Sequence, residues 1–138
     1  MALGEKVGED RGTGTGVTVK STGPEGVTIE VNYMGEVKGS GRFPDANYVG
    51  TLTVVQAPSG ISRSTNQGLM TTKDGETIVF KGFSTGKSGG VKTKDVTLLT
   101  FMTGSQKYAW MNDLILVREG EATPDFKEFK GITHEWKQ

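Results

Sequence analysis

A two-residue alternation of side chains constrains this chain more than any other feature. From Val27 the odd positions read Val27, Ile29, Val31, Tyr33, Gly35, Val37 and Gly39. The even positions read Thr28, Glu30, Asn32, Met34, Glu36 and Lys38. Successive strand side chains point to opposite faces, so this stretch predicts one long half-buried strand. Glycines inside such a strand allow a barrel wall to bend without side-chain clash. The pattern recurs at 14–21, 48–57, 61–72, 76–86, 92–103, 107–119 and 132–137, with Gly or Pro at the breaks. Gly is 21 of 138 residues, about twice average usage, which suits a chain made of strands and tight turns. The expectation is an all-β fold: a closed antiparallel β-barrel of about eight strands, mostly an up-and-down meander.

Residues 1–12 lack this alternation and are expected to be a flexible N-terminal arm, leaving 13–138 as a single barrel domain. Thr123-Pro124-Asp125, followed by Gly131, carries start and stop signals for at most one helical turn. Two later segments are apolar on both faces. In 96–102, Val96, Leu98 and Met102 oppose Leu99 and Phe101; in 108–117, Tyr108, Trp110, Leu114 and Leu116 oppose Met111, Ile115 and Val117. One of those faces must be covered from outside, either by the segment bearing Phe126 and Phe129 or by a second copy of the chain. With a formal net charge of zero, this predicts a homo-oligomer, most simply a dimer.

Composition removes several mechanisms. With no Cys and one His there is no thiol catalysis, no Cys-based metal site and no multi-histidine centre. Asp74-Gly75-Glu76 reads as a turn, since a calcium loop needs several spaced oxygen ligands. Neither a metal nor a cofactor is therefore expected. Balanced charge supplies no field to attract nucleic acid or an anionic membrane, and no run of apolar residues is long enough for a membrane helix. The first ten residues have no secretory apolar core, which reads as a cytoplasmic protein.

Motif matches fail on context. Gly82-Phe83-Ser84-Thr85-Gly86-Lys87-Ser88 is one residue short of a phosphate loop and leads into another strand, not a helix. Gly12-Thr13-Gly14-Thr15-Gly16 lacks the third glycine of a dinucleotide fingerprint. His134 and Glu135 are strand neighbours, so they point apart and form no relay. Lys81, Lys87, Lys92 and Lys94 read as a solvated lysine-rich hairpin.

What remains is the barrel interior. Met34, Met70, Met102 and Met111 suit either core filling or an adaptable cavity. Asn32, Gln67, Asn112 and Asp113 are polar groups within strand patterns, and any that face inward need a partner. If the faces bearing Tyr33 and Trp110 look inward, the barrel has aromatic walls around the amide of Asn112. Tyr33, Trp110 and Asn112 are therefore the candidate ligand-binding residues, for a small apolar or amphipathic molecule. One alternative is a cofactor-free cyclase or isomerase in the same cavity, with Glu30 or Asn112 as the inward polar group. The other is a structural barrel filled by its own side chains. A void of about 300 Å3 with an open mouth separates ligand binding from that filled case.

The run Tyr48-Val-Gly-Thr-Leu-Thr-Val54, then Gln67-Gly-Leu-Met-Thr-Thr-Lys-Asp-Gly-Glu76, Tyr108-Ala-Trp-Met-Asn112 and Glu119-Gly-Glu121 resembles a group of small uncharacterised prokaryotic proteins. That group is similar to the allene-oxide-cyclase-type barrel superfamily, and in shape to lipocalins and dirigent proteins. The resemblance covers nearly all of the chain after residue 12 and rests on turn and strand signals. It implies a barrel of the predicted kind. Allene oxide cyclases hold an unstable fatty-acid epoxide in an apolar barrel while a ring closes. Their polar site residues match no positions here, so none is carried over.

Overall fold

A computed structural model describes residues 2–137. They form eight strands: β1 (Ala2–Gly23), β2 (Gly26–Gly39), β3 (Ala46–Gln56), β4 (Ile61–Thr72), β5 (Thr77–Ser88), β6 (Thr93–Met102), β7 (Leu116–Ala122) and β8 (Glu128–Lys137). Every strand pairs antiparallel with the next, and β8 returns to β1, closing the barrel as a meander. Closure pairs every edge, which an open sheet of this length would leave exposed. Gly75 has φ 87° in the β4–β5 turn, a left-handed conformation that glycine adopts without a Cβ penalty.

Three local expectations are corrected. Residues 2–12 are no arm but the first half of β1, hydrogen-bonded to both β2 and β8. Their polar composition concealed this, because Val7 and Asp10 are inward residues and Asp10 finds its countercharge 108 residues away. The strand expected over 107–119 begins only at Leu116; Ala109–Asp113 is instead a five-residue 3-10 turn closing one end of the barrel. The segment at 123–127 is a hydrogen-bonded turn rather than a helical one. Asp125 accepts from the Lys127 N–H at 3.1 Å, and Phe126 sits at φ 60°. That conformation is costly for a bulky residue, and it is held by the Phe126 ring packing into the core.

Two apolar clusters occupy the ends of the barrel. At one, Ile29, Val31 and Val54 pack with Leu52, Phe126 and Phe129; at the other, Ile78, Tyr108 and Met111 pack with Phe43, Met70, Phe101 and Trp110. Inward glycines make room for large rings on neighbouring strands. A Cβ at Gly35 would lie 2.6 Å from Cζ of Tyr48, one at Gly50 2.5 Å from Cζ of Tyr33, and one at Gly68 2.5 Å from Cζ of Phe80. Outside, Phe83 is 70% exposed, Met102 64% and Leu98 51%, and Phe83 lies directly opposite Leu98. Phe126 and Phe129 pack into the barrel end, so they do not cover this face.

Candidate functional site

Cross-strand register aligns Asp10, Gly131, Gly120, Asp95, Gly86 and Ser62 around one level of the interior. Two carboxylates are thus separated by two glycines. Arg118, one level along on β7, fills that gap. A Cβ at Gly131 would lie 2.5 Å from its Nε, and one at Gly120 2.9 Å from its Cζ. The guanidinium donates to Asp10 through Nε (2.9 Å) and Nη2 (3.0 Å), a bidentate fork. Its Nη1 lies 3.6 Å from Oδ1 of Asp95. The three side chains are only 17%, 11% and 22% exposed for Arg118, Asp10 and Asp95. Tyr48 adds a hydroxyl that donates to Asp10 at 3.3 Å.

Burial works against the charge on Arg118, but its hydrogen bonds to Asp10 and the negative charge of nearby Asp95 outweigh it and hold the guanidinium protonated. Burial pushes the Asp95 carboxyl above its ordinary range, against the opposing pull of Arg118 and the hydrogen bond from Thr97. Burial likewise pushes the phenols of Tyr33 and Tyr48 well up, so both remain hydrogen-bond donors at neutral pH.

The next level runs Arg118, Thr97, Ser84, Ser64 and Val54. Inward side chains on β4 and β5 are small here: Ser62, Ser64 and Asn66 face Gly86, Ser84 and Gly82. Ser64 and Ser84 hydrogen-bond each other, and Tyr33 donates to Oδ1 of Asn66. These small residues leave the interior unfilled. A cavity of about 160 Å3 is lined by apolar groups such as Leu52, Val54, Phe80 and Phe129, and by Asp95, Asn66, Ser62 and Ser84. Its volume is about half of the 300 Å3 expected for an ordinary ligand pocket. A wider concavity, about 820 Å3, lies outside across β1–β4 and the ends of β7 and β8, and includes Met34, Val49 and Leu69. Each of these three is about half exposed; the charged groups there include Glu121, already paired with Lys130 at 2.9 Å and Lys92 at 3.4 Å.

The sequence-derived candidates separate. Tyr33 is buried and lines the cavity. Trp110 is not among the lining residues; it packs edge-on against Phe43, with ring centroids 5.0 Å apart, and the Arg42 guanidinium stacks on it at 3.9 Å. Asn112 is exposed on the 3-10 turn, satisfied by the Thr103 backbone, accepting its N–H at 2.8 Å and donating to its carbonyl at 3.1 Å. Glu30 lies on the face of β2 opposite Ile29 and Val31, 3.9 Å from Lys20. Asn32, Gln67 and Asp113 are exposed too; the amides that line the cavity are Gln56 and Asn66, the latter one residue from the amide considered. Of the methionines, Met70 and Met111 line the cavity, whereas Met34 and Met102 are exposed. Asp10, Asp95 and Arg118 were missed. Parity with Leu99 and Phe101 marks Asp95 as inward, but nothing local marks Asp10.

No family model matches the chain, and no curated protein sequence matches it. Solved structures do. A protein with unknown function from Clostridium acetobutylicum ATCC 824 superposes with a TM-score of 0.85 at 17% identity, covering 99% of this chain and 100% of that one. A β-barrel-like protein from Acinetobacter baumannii AYE gives 0.82 at 17% identity, over 99% and 96%. An enzyme from Penicillium herquei gives 0.69 at 18% identity, over 95% and 92%. Identities this low establish shared architecture alone: the chain is a small closed antiparallel β-barrel protein.

Proposed function

We propose that the barrel binds one small molecule with an apolar body and a polar group inside its cavity. The observation that carries this reading is an interior left unfilled beside convergent polar side chains: Asp95, Asn66 with Tyr33, and the Ser64–Ser84 pair. A volume of about 160 Å3 limits the occupant to a single ring or short chain, since a cavity of about 150 Å3 accommodates benzene. The resemblance to allene-oxide-cyclase-type barrels supports a ligand within the barrel, although this cavity is small for a fatty-acid chain. Tyr33 stays in the proposed site; Trp110 and Asn112 leave it. Titration with benzyl alcohol tests the reading. At ten times Kd the ligand should stabilise the fold by about 1.4 kcal/mol. Ser84→Leu, which fills the void, should abolish that gain. A melting temperature indifferent to benzyl alcohol in the unmodified protein would defeat the reading.

Cofactor-free isomerisation in the same cavity is a second reading, favoured by the raised, inward carboxyl of Asp95. In that case Asp95, rather than Glu30 or Asn112, is the acid or base. Proton exchange into a small enolisable ketone, lost in Asp95→Asn, would support it. We also assign the uncovered face of Phe83, Leu98 and Met102 to contact with a second copy, because the chain's own C-terminal aromatics are engaged elsewhere.

A further inference from the structure

The cavity's charges do not balance. Its ionisable lining consists of Asp10 from β1, Tyr33 from β2, Tyr48 from β3, Asp95 from β6 and Arg118 from β7; the lining residues of β4, β5 and β8 carry no ionisable group. Two carboxylates thus face one guanidinium, and that guanidinium is fully engaged. Nε and Nη2 serve Asp10, and Nη1 faces Asp95. Both contacts of Asp95 fall on the same oxygen, Oδ1: Arg118 Nη1 at 3.6 Å and the Thr97 hydroxyl at 3.4 Å. Among the described residues no partner reaches Oδ2, nor is that oxygen sealed from solvent. On the side of Asp95 away from Arg118, register places Gly86, then Ser62, then Gln56. Gly86 contributes no side chain, so Asp95, the Ser62 hydroxyl and the Gln56 amide line one end of the cavity without a basic group among them.

On the reading that this cavity binds a small molecule, we propose that its ligand is a primary amine with a compact apolar body, held as the ammonium ion on Asp95. An ammonium group offers three N–H donors, and this end of the cavity is lined by three residues that carry oxygen acceptors: Asp95, Ser62 and Gln56. It also restores charge balance, which a buried carboxylate requires. A carboxylate-headed ligand would meet two like charges and find Arg118 already engaged. A neutral hydroxyl would leave Asp95 with only its share of the Arg118 guanidinium. The proton is the natural competitor, because burial favours the neutral form of Asp95. Amine binding should therefore strengthen as pH rises through the range where Asp95 loses its proton.

Calorimetric titration with benzylamine, benzyl alcohol and benzoate at pH 7 tests this. The intact protein should bind benzylamine at least about tenfold more tightly than benzyl alcohol, and benzoate weakest. Asp95→Asn should erase the preference for the amine, bringing benzylamine and benzyl alcohol to within about twofold of each other. Should that variant fail to fold, Ser62→Ala removes one acceptor and should narrow the preference a few-fold. Equal binding of alcohol and amine, tighter binding of benzoate, or a preference that survives these substitutions would overturn the amine assignment while leaving cavity binding intact. Failure of all three compounds to bind defeats both.

Discussion

The two sides of Asp95 use the same residue type to opposite ends. Toward β7 and β8, Gly120 and Gly131 leave a gap that Arg118 fills, joining two carboxylates into one buried network. Toward β5 and β4, only short groups close on Gly86: a Cβ there would lie 2.8 Å from the Lys94 carbonyl and 3.0 Å from Ser62 Oγ, and the inward neighbours Ser64 and Ser84 are small as well. The first side is structural, since Arg118 and Asp10 compensate each other in a bidentate pair. The second side holds the void and the open oxygen of Asp95. A wall of small residues leaves a void only where no long side chain reaches across to take the space.

The largest effect should come from breaking the filled side. Arg118→Leu strands Asp10 and Asp95 without a countercharge and should cost about 3–5 kcal/mol in urea unfolding. A loss below about 1 kcal/mol would mean that the network does not hold the barrel closed. Gly35→Ala comes next. Its methyl would meet the Tyr48 ring and the Arg11 carbonyl, shifting the hydroxyl that donates to Asp10, at about 1–3 kcal/mol.

Asp95→Asn should be milder and should show mainly in pH dependence. The folded-state carboxyl sits above its unfolded value of about 3.8, so the native protein binds more protons than the unfolded chain in that window. Its contribution is present below the unfolded value and is lost as pH rises through the folded one. The amide variant should flatten that part of the stability profile, and a profile identical to that of the unmodified protein would contradict the raised carboxyl. The smallest effect on folding is expected from Phe83→Lys on the exposed face. Thermal stability of the fold should change little, while sedimentation should shift from dimer toward monomer. A monomer before substitution would remove the proposed contact.

Much of the architecture is legible in the sequence because strand parity and turn residues are local. Val27–Val37 alternates visibly, and Lys73-Asp74-Gly75 marks its hairpin without outside help. The site is far less legible. Tyr33 lies in a clean alternation and is found; Asn66 is not, because Ser62, Ser64, Asn66 and Gly68 give β4 no apolar stripe to show which parity faces inward. Trp110 and Asn112 look like strand residues, yet Tyr108 and Met111 anchor a 3-10 turn over the barrel end, and that turn carries both out of the cavity.

By itself the sequence determined that most of this chain forms strands and where most of them turn, because each of those choices depends on residues within a few positions. Tertiary structure alone decided that residues 2–12 are a strand, since Asp10 tolerates the interior only beside Arg118. It alone decided which glycines are filled and which stay open. The first outcome depends on side chains brought together by barrel closure across more than one hundred residues of chain, the second on contacts between neighbouring strands, and no local pattern encodes either.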